Sequence, residues 1–127
     1  MIGFLYYYLE YNGDETMDVE EKKSGKVYII VLNGRLDAYS SNELEKKVNT
    51  LIDDNNCREL VVNFGEVDYI SSSGLRVMLS TVKKLRKIEG DVKLACLKPY
   101  VREVFDISGF TQLFEIHDLE EEAVKSF

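Results

Sequence analysis

The sequence predicts a single α/β domain built on a mixed β-sheet, and three observations carry that prediction. Short apolar runs alternate with stretches of helical periodicity, and strands separated by helices become parallel neighbours joined by crossovers. Only a tight turn at Ser24-Gly25 divides the first two runs, too little chain for a crossover, so that pair is antiparallel. The chain has 127 residues, 45% of them hydrophobic, with one proline, which suits one domain with a modest core.

The elements follow in order. A strand at Val19 to Lys22 turns at Ser24-Gly25 into a second strand, Val27 to Leu32. Helix one starts at Ser40-Ser41-Asn42-Glu43, which offers a capping box from Ser40 to Glu43, and its apolar stripe is Leu44, Val48, Leu51 and Ile52. The apolar run Arg58 to Phe64 is short enough for a central strand, and Leu75, Met78, Leu79, Val82, Leu85 and Ile88 then recur at helical spacing. A strand Val92 to Leu97, a helix opened by Pro99, a short strand near Leu113 to Ile116 and an acidic terminal helix complete the chain.

The junction between central strand and second helix carries the most chemistry. Ser71, Ser72 and Ser73 stand in a row before Gly74, Leu75 and Arg76. The first N–H groups of a helix lack internal partners and sit at the positive end of its dipole, so a serine there can cap the helix. Once phosphorylated, such a serine holds its new charge in a favourable field. Capping accounts for one serine; it does not account for three followed by Gly74, which weakens a first turn yet admits the close approach of another backbone or a bulky ligand.

Other features mostly exclude. A net charge of −7 argues against a nucleic-acid surface, so any effect on transcription is indirect. Lys83, Lys84, Arg86 and Lys87 form the nearest thing to a basic patch and read as a solvated helix end that complements the dipole, while Arg76 lies closer to the serines. Cys57 and Cys96 form no paired or metal-binding motif, so the sequence points to ordinary thiols in a reducing cytoplasm and to no metal or other cofactor. His117, the only histidine, reads as a surface turn residue. The chain has no Gly-rich phosphate loop and is not expected to act as a kinase; a serine hydrolase using Ser72 or Ser73 lacks the nucleophile-elbow glycines.

Residues 1–16 stand apart. The apolar, aromatic stretch Met1 to Leu9 is too short to span a bilayer and lacks a basic leading region, so neither a membrane span nor a signal peptide is expected. It reads as an N-terminal extension: either a strand added to a sheet edge or neighbouring chain, or residues upstream of a natural start at Met17. The domain proper is 17–127.

Three segments in compatible order resemble one family. Val27 to Asp37 followed by Ala38 to Leu44 looks like the strand, Gly-x-Leu-Asp, helix opening of the STAS domains, the bacterial anti-sigma factor antagonist family. Ser71-Ser72-Ser73-Gly74-Leu75 is similar to its Asp-Ser-Ser-Gly-Leu junction, and Phe105-Asp106-Ile107-Ser108-Gly109-Phe110 to its late helix and exit. This resemblance implies helices packed mainly on one face of the sheet, and a non-enzymatic module that docks on an anti-sigma serine kinase, frees sigma factor and is switched off by phosphorylation at Ser72. It implies a partner-binding face of Asp37, Ser71, Ser73, Gly74, Leu75 and Arg76; read from the residues alone, Asp37 equally serves to bond backbone amides in the turn leading to helix one, and the gathering of loops at the carboxyl ends of parallel strands brings it towards Ser72. A serine phosphatase as resetting partner, no membrane contact, and a monomer or weak dimer complete the expectation. The alternative within the fold is a scaffold or regulator of another partner: stressosome-like, or acting on a phosphatase or transporter. Ser71 stands where many members carry aspartate.

Overall fold

The computed structural model describes residues 17–127. The expectations for residues 1–16 lie outside the described residues. The strands are β1 (Asp18–Ser24), β2 (Val27–Leu36), β3 (Glu59–Ile70), β4 (Asp91–Ala95) and β5 (Glu115–His117); the helices are α1 (Ala38–Asp53), α2 (Ser72–Arg86), α3 (Pro99–Ile107) and α4 (Glu120–Lys125). The sheet order is β1-β2-β3-β4-β5, with β1 antiparallel to β2 and every other neighbouring pair parallel.

Period-two alternation decides which side chains meet which helices. Tyr28, Ile30, Leu32 and Leu36 of β2, Leu60, Val62 and Phe64 of β3, and Val92 and Leu94 of β4 share one core with Leu44, Val48 and Leu51 of α1, Met78, Val82 and Leu85 of α2, and Val101 and Phe105 of α3. Each fully buried Leu or Ile there contributes about 1.5–3 kcal/mol. Phe105 wedges edge-on between Phe64 and Phe114, with ring centroids 6.0 and 5.8 Å away. The opposite residues, Val27, Ile29, Val61 and Ala95, pack with Ala123 of α4. Three helices therefore cover one face and the short α4 the other, the mainly one-sided arrangement expected.

On the α4 face Lys93 is 6% exposed. Burial of an ammonium is costly unless it is paired; here Nζ donates to the Ser126 carbonyl and Oγ, both at 2.7 Å, pairs with Glu115 at 3.3 Å and lies 4.2 Å from the Phe127 ring centroid.

Several boundaries differ from those read in the sequence. The strands β2 and β3 run on to Leu36 and Ile70 because their ladder continues through register shifts at Val31/Asn33 and Gly34/Arg35, which keep Leu36, Val67 and Ile70 buried. Ladder pairing of β3 with β4 stops at Asn63↔Ala95, so the far half of β3 pairs with β2 alone and projects as a ledge. Gly65, at the start of that ledge, donates its N–H to Asn63 Oδ1 at 2.8 Å. The fourth strand ends at Ala95 rather than Leu97, since Cys96 takes a left-handed φ of 64° that no regular strand accommodates. A 3-10 turn at Thr111–Leu113 delays β5 to Glu115.

Candidate phosphoacceptor and docking face

The ledge brings two helix starts side by side. Leu36 pairs with Ile70 in the parallel ladder, and the Ser71 N–H donates to the Leu36 carbonyl at 2.9 Å. Asp37 follows one strand and Ser71 the other, so the expected approach of Asp37 to the serines is built from backbone pairing.

Asp37 caps α1. Its Oδ1 accepts from the N–H groups of Tyr39 (3.1 Å) and Ser40 (3.0 Å), while Ser40 Oγ accepts from the Asp37 N–H (2.9 Å) and donates to the Arg35 carbonyl (2.6 Å). The capping box therefore runs from Asp37 to Ser40, not from Ser40 to Glu43. The helix begins three residues earlier than its serine pair suggests, because Asp37 emerges from the ladder already placed to accept those amides.

The start of α2 is simpler. Ser71 is its cap, with Oγ accepting from the Gly74 N–H at 3.2 Å. Ser72 is exposed, and its hydroxyl makes no hydrogen bond among the described residues; Ser73 is half-buried. The first turn holds no acidic residue, whereas Lys83, Lys84 and Arg86 occupy the last, so the dipole is complemented at one end only. Beneath the turn, a Cβ on Gly74 would stand 2.9 Å from Ile70 Cγ1 and from Leu36 Cγ and Cδ2. The close approach that Gly74 permits is thus that of the domain's own strand ends. Gly74 and Leu75 are both buried, so these two residues support the expected partner-binding face from below rather than form its surface.

Arg76 is exposed on the second turn of α2 and borders two depressions. One, of about 290 Å³, lies between the starts of α1 and α2 and is lined by Ala38, Ser41, Asn42, Glu45, Ser73, Arg76 and Val77. The other, of about 500 Å³, runs along α2 past Leu79, Ser80, Lys83, Lys84 and Lys87. Two cations of the basic patch have structural duties: Lys84 bonds Asn49 (3.0 Å) and Asp53 (3.1 Å) of α1, and Arg86 bonds Asp91 (3.1 Å) and the Leu113 carbonyl (2.7 Å).

Sequence reasoning missed Ser41, which is 2% exposed with a hydroxyl that has no partner among the described residues. It also missed Arg35, whose guanidinium carbon lies 4.2 Å from the centre of the Tyr69 ring, a pairing created by the second register shift and hence invisible to alternation. Histidine chemistry is absent from the serines: His117 is the last residue of β5 rather than a turn residue, and its Nε2 lies 2.6 Å from Glu115 Oε2. That bond is the largest of the influences holding the Glu115 carboxyl below the usual range. Burial pushes the Cys57 thiol up to about 11 and raises that of Cys96, so neither is poised as a nucleophile.

A STAS domain profile matches residues 18–123. The chain belongs to the STAS family. Among STAS relatives, it is 39% identical over 112 residues to BtrV of Bordetella bronchiseptica, a candidate anti-sigma factor antagonist, spanning 88% of this chain and 92% of that one. The solved structure of the anti-sigma factor antagonist SpoIIAA in its unphosphorylated form superposes with a TM-score of 0.77 at 25% identity, covering 86% of this chain and 95% of that one. The phosphorylated form of the Bacillus cell fate determinant SpoIIAA has the same STAS fold, with a TM-score of 0.71 at 24% identity over 86% and 98%. Among the described residues of this STAS domain, no helix is long and apolar enough to cross a membrane.

Proposed function

We propose that this chain is an anti-sigma factor antagonist that docks the Ser72 face on an anti-sigma serine kinase and is released from it when Ser72 is phosphorylated. The observation that carries this is the contrast among the serines: Ser71 is engaged in capping, whereas Ser72 presents an exposed hydroxyl without a partner among the described residues. The names of the relatives support the antagonist role, and SpoIIAA is described in phosphorylated and unphosphorylated forms.

In the transfer itself, Ser72 Oγ attacks the γ-phosphoryl group of ATP, its proton passes to a base of the kinase, and ADP leaves; ATP, magnesium and the base all belong to the kinase. Asp37 does not serve as that base, since its carboxylate is committed to α1, and its place is on the docking face beside Tyr39, which is 67% exposed. The phosphate adds about −1.5 to −2 charges to a surface that must otherwise be desolvated against the partner. A loss of about 3 kcal/mol weakens binding by roughly two powers of ten without a change of fold. A separate serine phosphatase restores the hydroxyl, and the protein works in the cytoplasm as a monomer or weak dimer.

The test is intact-mass and peptide mass spectrometry after incubation with ATP, magnesium and each histidine-kinase-fold serine kinase of the source organism. A single phosphate on Ser72 is expected, with Ser72→Ala still binding the kinase and Ser72→Asp binding it more weakly. No phosphate from any of them, or equal binding by all three forms, overturns the switch.

A further inference from the structure

We propose that Arg76 is an internal clamp for the phosphate on Ser72, so that modification both adds negative charge and withdraws a cation from the docking face. This rests on the reading of Ser72 as the acceptor. Ser72 and Arg76 are the first and fifth residues of α2, the spacing at which side chains on a helix become neighbours. Helical side chains lean towards the N-terminus, so a long one at Arg76 reaches back over the first turn, onto the position of Ser72, whereas one placed before Ser72 would lean away. A planar guanidinium matches phosphate oxygens in two-point fashion.

The surroundings favour the anion. The first turn of α2 has no acidic residue, and the cap is neutral Ser71 where the family resemblance places aspartate, so the phosphate meets the helix dipole without an adjoining carboxylate on α2. The depression that Arg76 borders beside the first turn is lined from the α1 side by Ala38, Ser41, Asn42 and Glu45, none of them a cation. Glu45 is the carboxylate in that depression, and it forms no ion pair with Arg76 among the described residues. Asp37 is occupied by Tyr39 and Ser40, Arg35 is stacked on Tyr69, and Lys83 and Lys87 share only the outer groove with Arg76. A doubly charged phosphate therefore outcompetes Glu45 for the guanidinium.

The experiment uses the full chain with phosphoserine encoded at position 72, so that no kinase is needed, and follows the phosphate by phosphorus NMR from pH 4.5 to 8. Phosphoserine loses its second proton near pH 6. An adjacent cation lowers that midpoint, and a helical ion pair at this spacing predicts a midpoint about 0.15–0.4 pH units lower in the parent than in Arg76→Gln. Arg76→Lys should recover part of the difference, and salt should shrink it. Identical midpoints for the parent and Arg76→Gln overturn the clamp. Failure of every kinase to modify Ser72 would instead overturn the switch, leaving the NMR result intact, so the two failures are distinct.

Discussion

Two helix starts stand next to each other at the ends of β2 and β3, both rich in serine, and they use it in opposite ways. At α1 a charged cap and a buried serine are locked together: Asp37 takes two amides, and Ser40 returns a bond to Asp37 while reaching the Arg35 carbonyl. At α2 a single neutral cap accepts one amide at 3.2 Å, and the next hydroxyl is exposed and has no partner among the described residues. What separates Ser40 and Ser71 from the proposed acceptor is thus that their oxygens are already engaged. Residue type does not distinguish Ser40, third in α1, from Ser72, first in α2; bonding and exposure do.

Unfolding measurements can break this comparison. Gly74→Val should have the largest effect, because its added carbons meet Leu36 and Ile70 at the tightest packing under α2; overpacking of this kind costs about 1–3 kcal/mol, read from urea denaturation. Next comes Asp37→Ala, which strips the Tyr39 and Ser40 amides of their acceptor while Ser40 Oγ keeps its bonds to the backbone of residue 37 and the Arg35 carbonyl, for a loss of up to about 2 kcal/mol. Ser71→Ala should lose about 1 kcal/mol, with faster amide exchange at Gly74 as the local signature. The smallest effect belongs to Ser72→Ala, within about 0.5 kcal/mol of the parent. A Ser72→Ala loss matching that of Ser71→Ala would show that the two hydroxyls share the cap and would collapse the contrast.

Acidification probes the other face of the sheet. Burial acts to raise the Glu120 carboxyl, but hydrogen bonds from Lys22 and Asn63 prevail and hold it below its ordinary value. A depressed folded-state value means stability present above the unfolded carboxylate range, near pH 4.3, and lost as pH falls through the folded value. Glu120→Gln should flatten the thermal midpoint against pH below about 4.5 while leaving the α2 start unchanged. An unaltered profile would remove Glu120 from the acid response.

The order of elements and the apolar stripes of the helices were legible because each follows from short-range periodicity, whereas the packing of helices mainly on one face came from the family resemblance. Leu44, Val48 and Leu51, like Leu75, Met78 and Leu85, repeat at helical spacing and lie where that spacing puts them. The ledge was not legible. Its strands change register twice, and Gly34 and Gly65 sit inside it where a sequence reader ends a strand. The α1 cap was misplaced by three residues because Asp37 and Ser40 are both good caps, and only the end of the β2–β3 ladder selects between them. Ser41 gave no signal at all, since a second serine in a helix start looks the same whether its hydroxyl is bonded or not.

The ledge has a consequence for divergence. Beyond Asn63, β3 takes its ladder pairing from β2 alone, so the strand ends that present the two helix starts owe no ladder hydrogen bond to β4 or β5. Substitutions on the α4 side of the sheet, around Ala95 and Ala123, touch none of the core residues at the presenting end. A domain built this way can acquire a new back while keeping its front, and change its neighbours without disturbing the proposed switch.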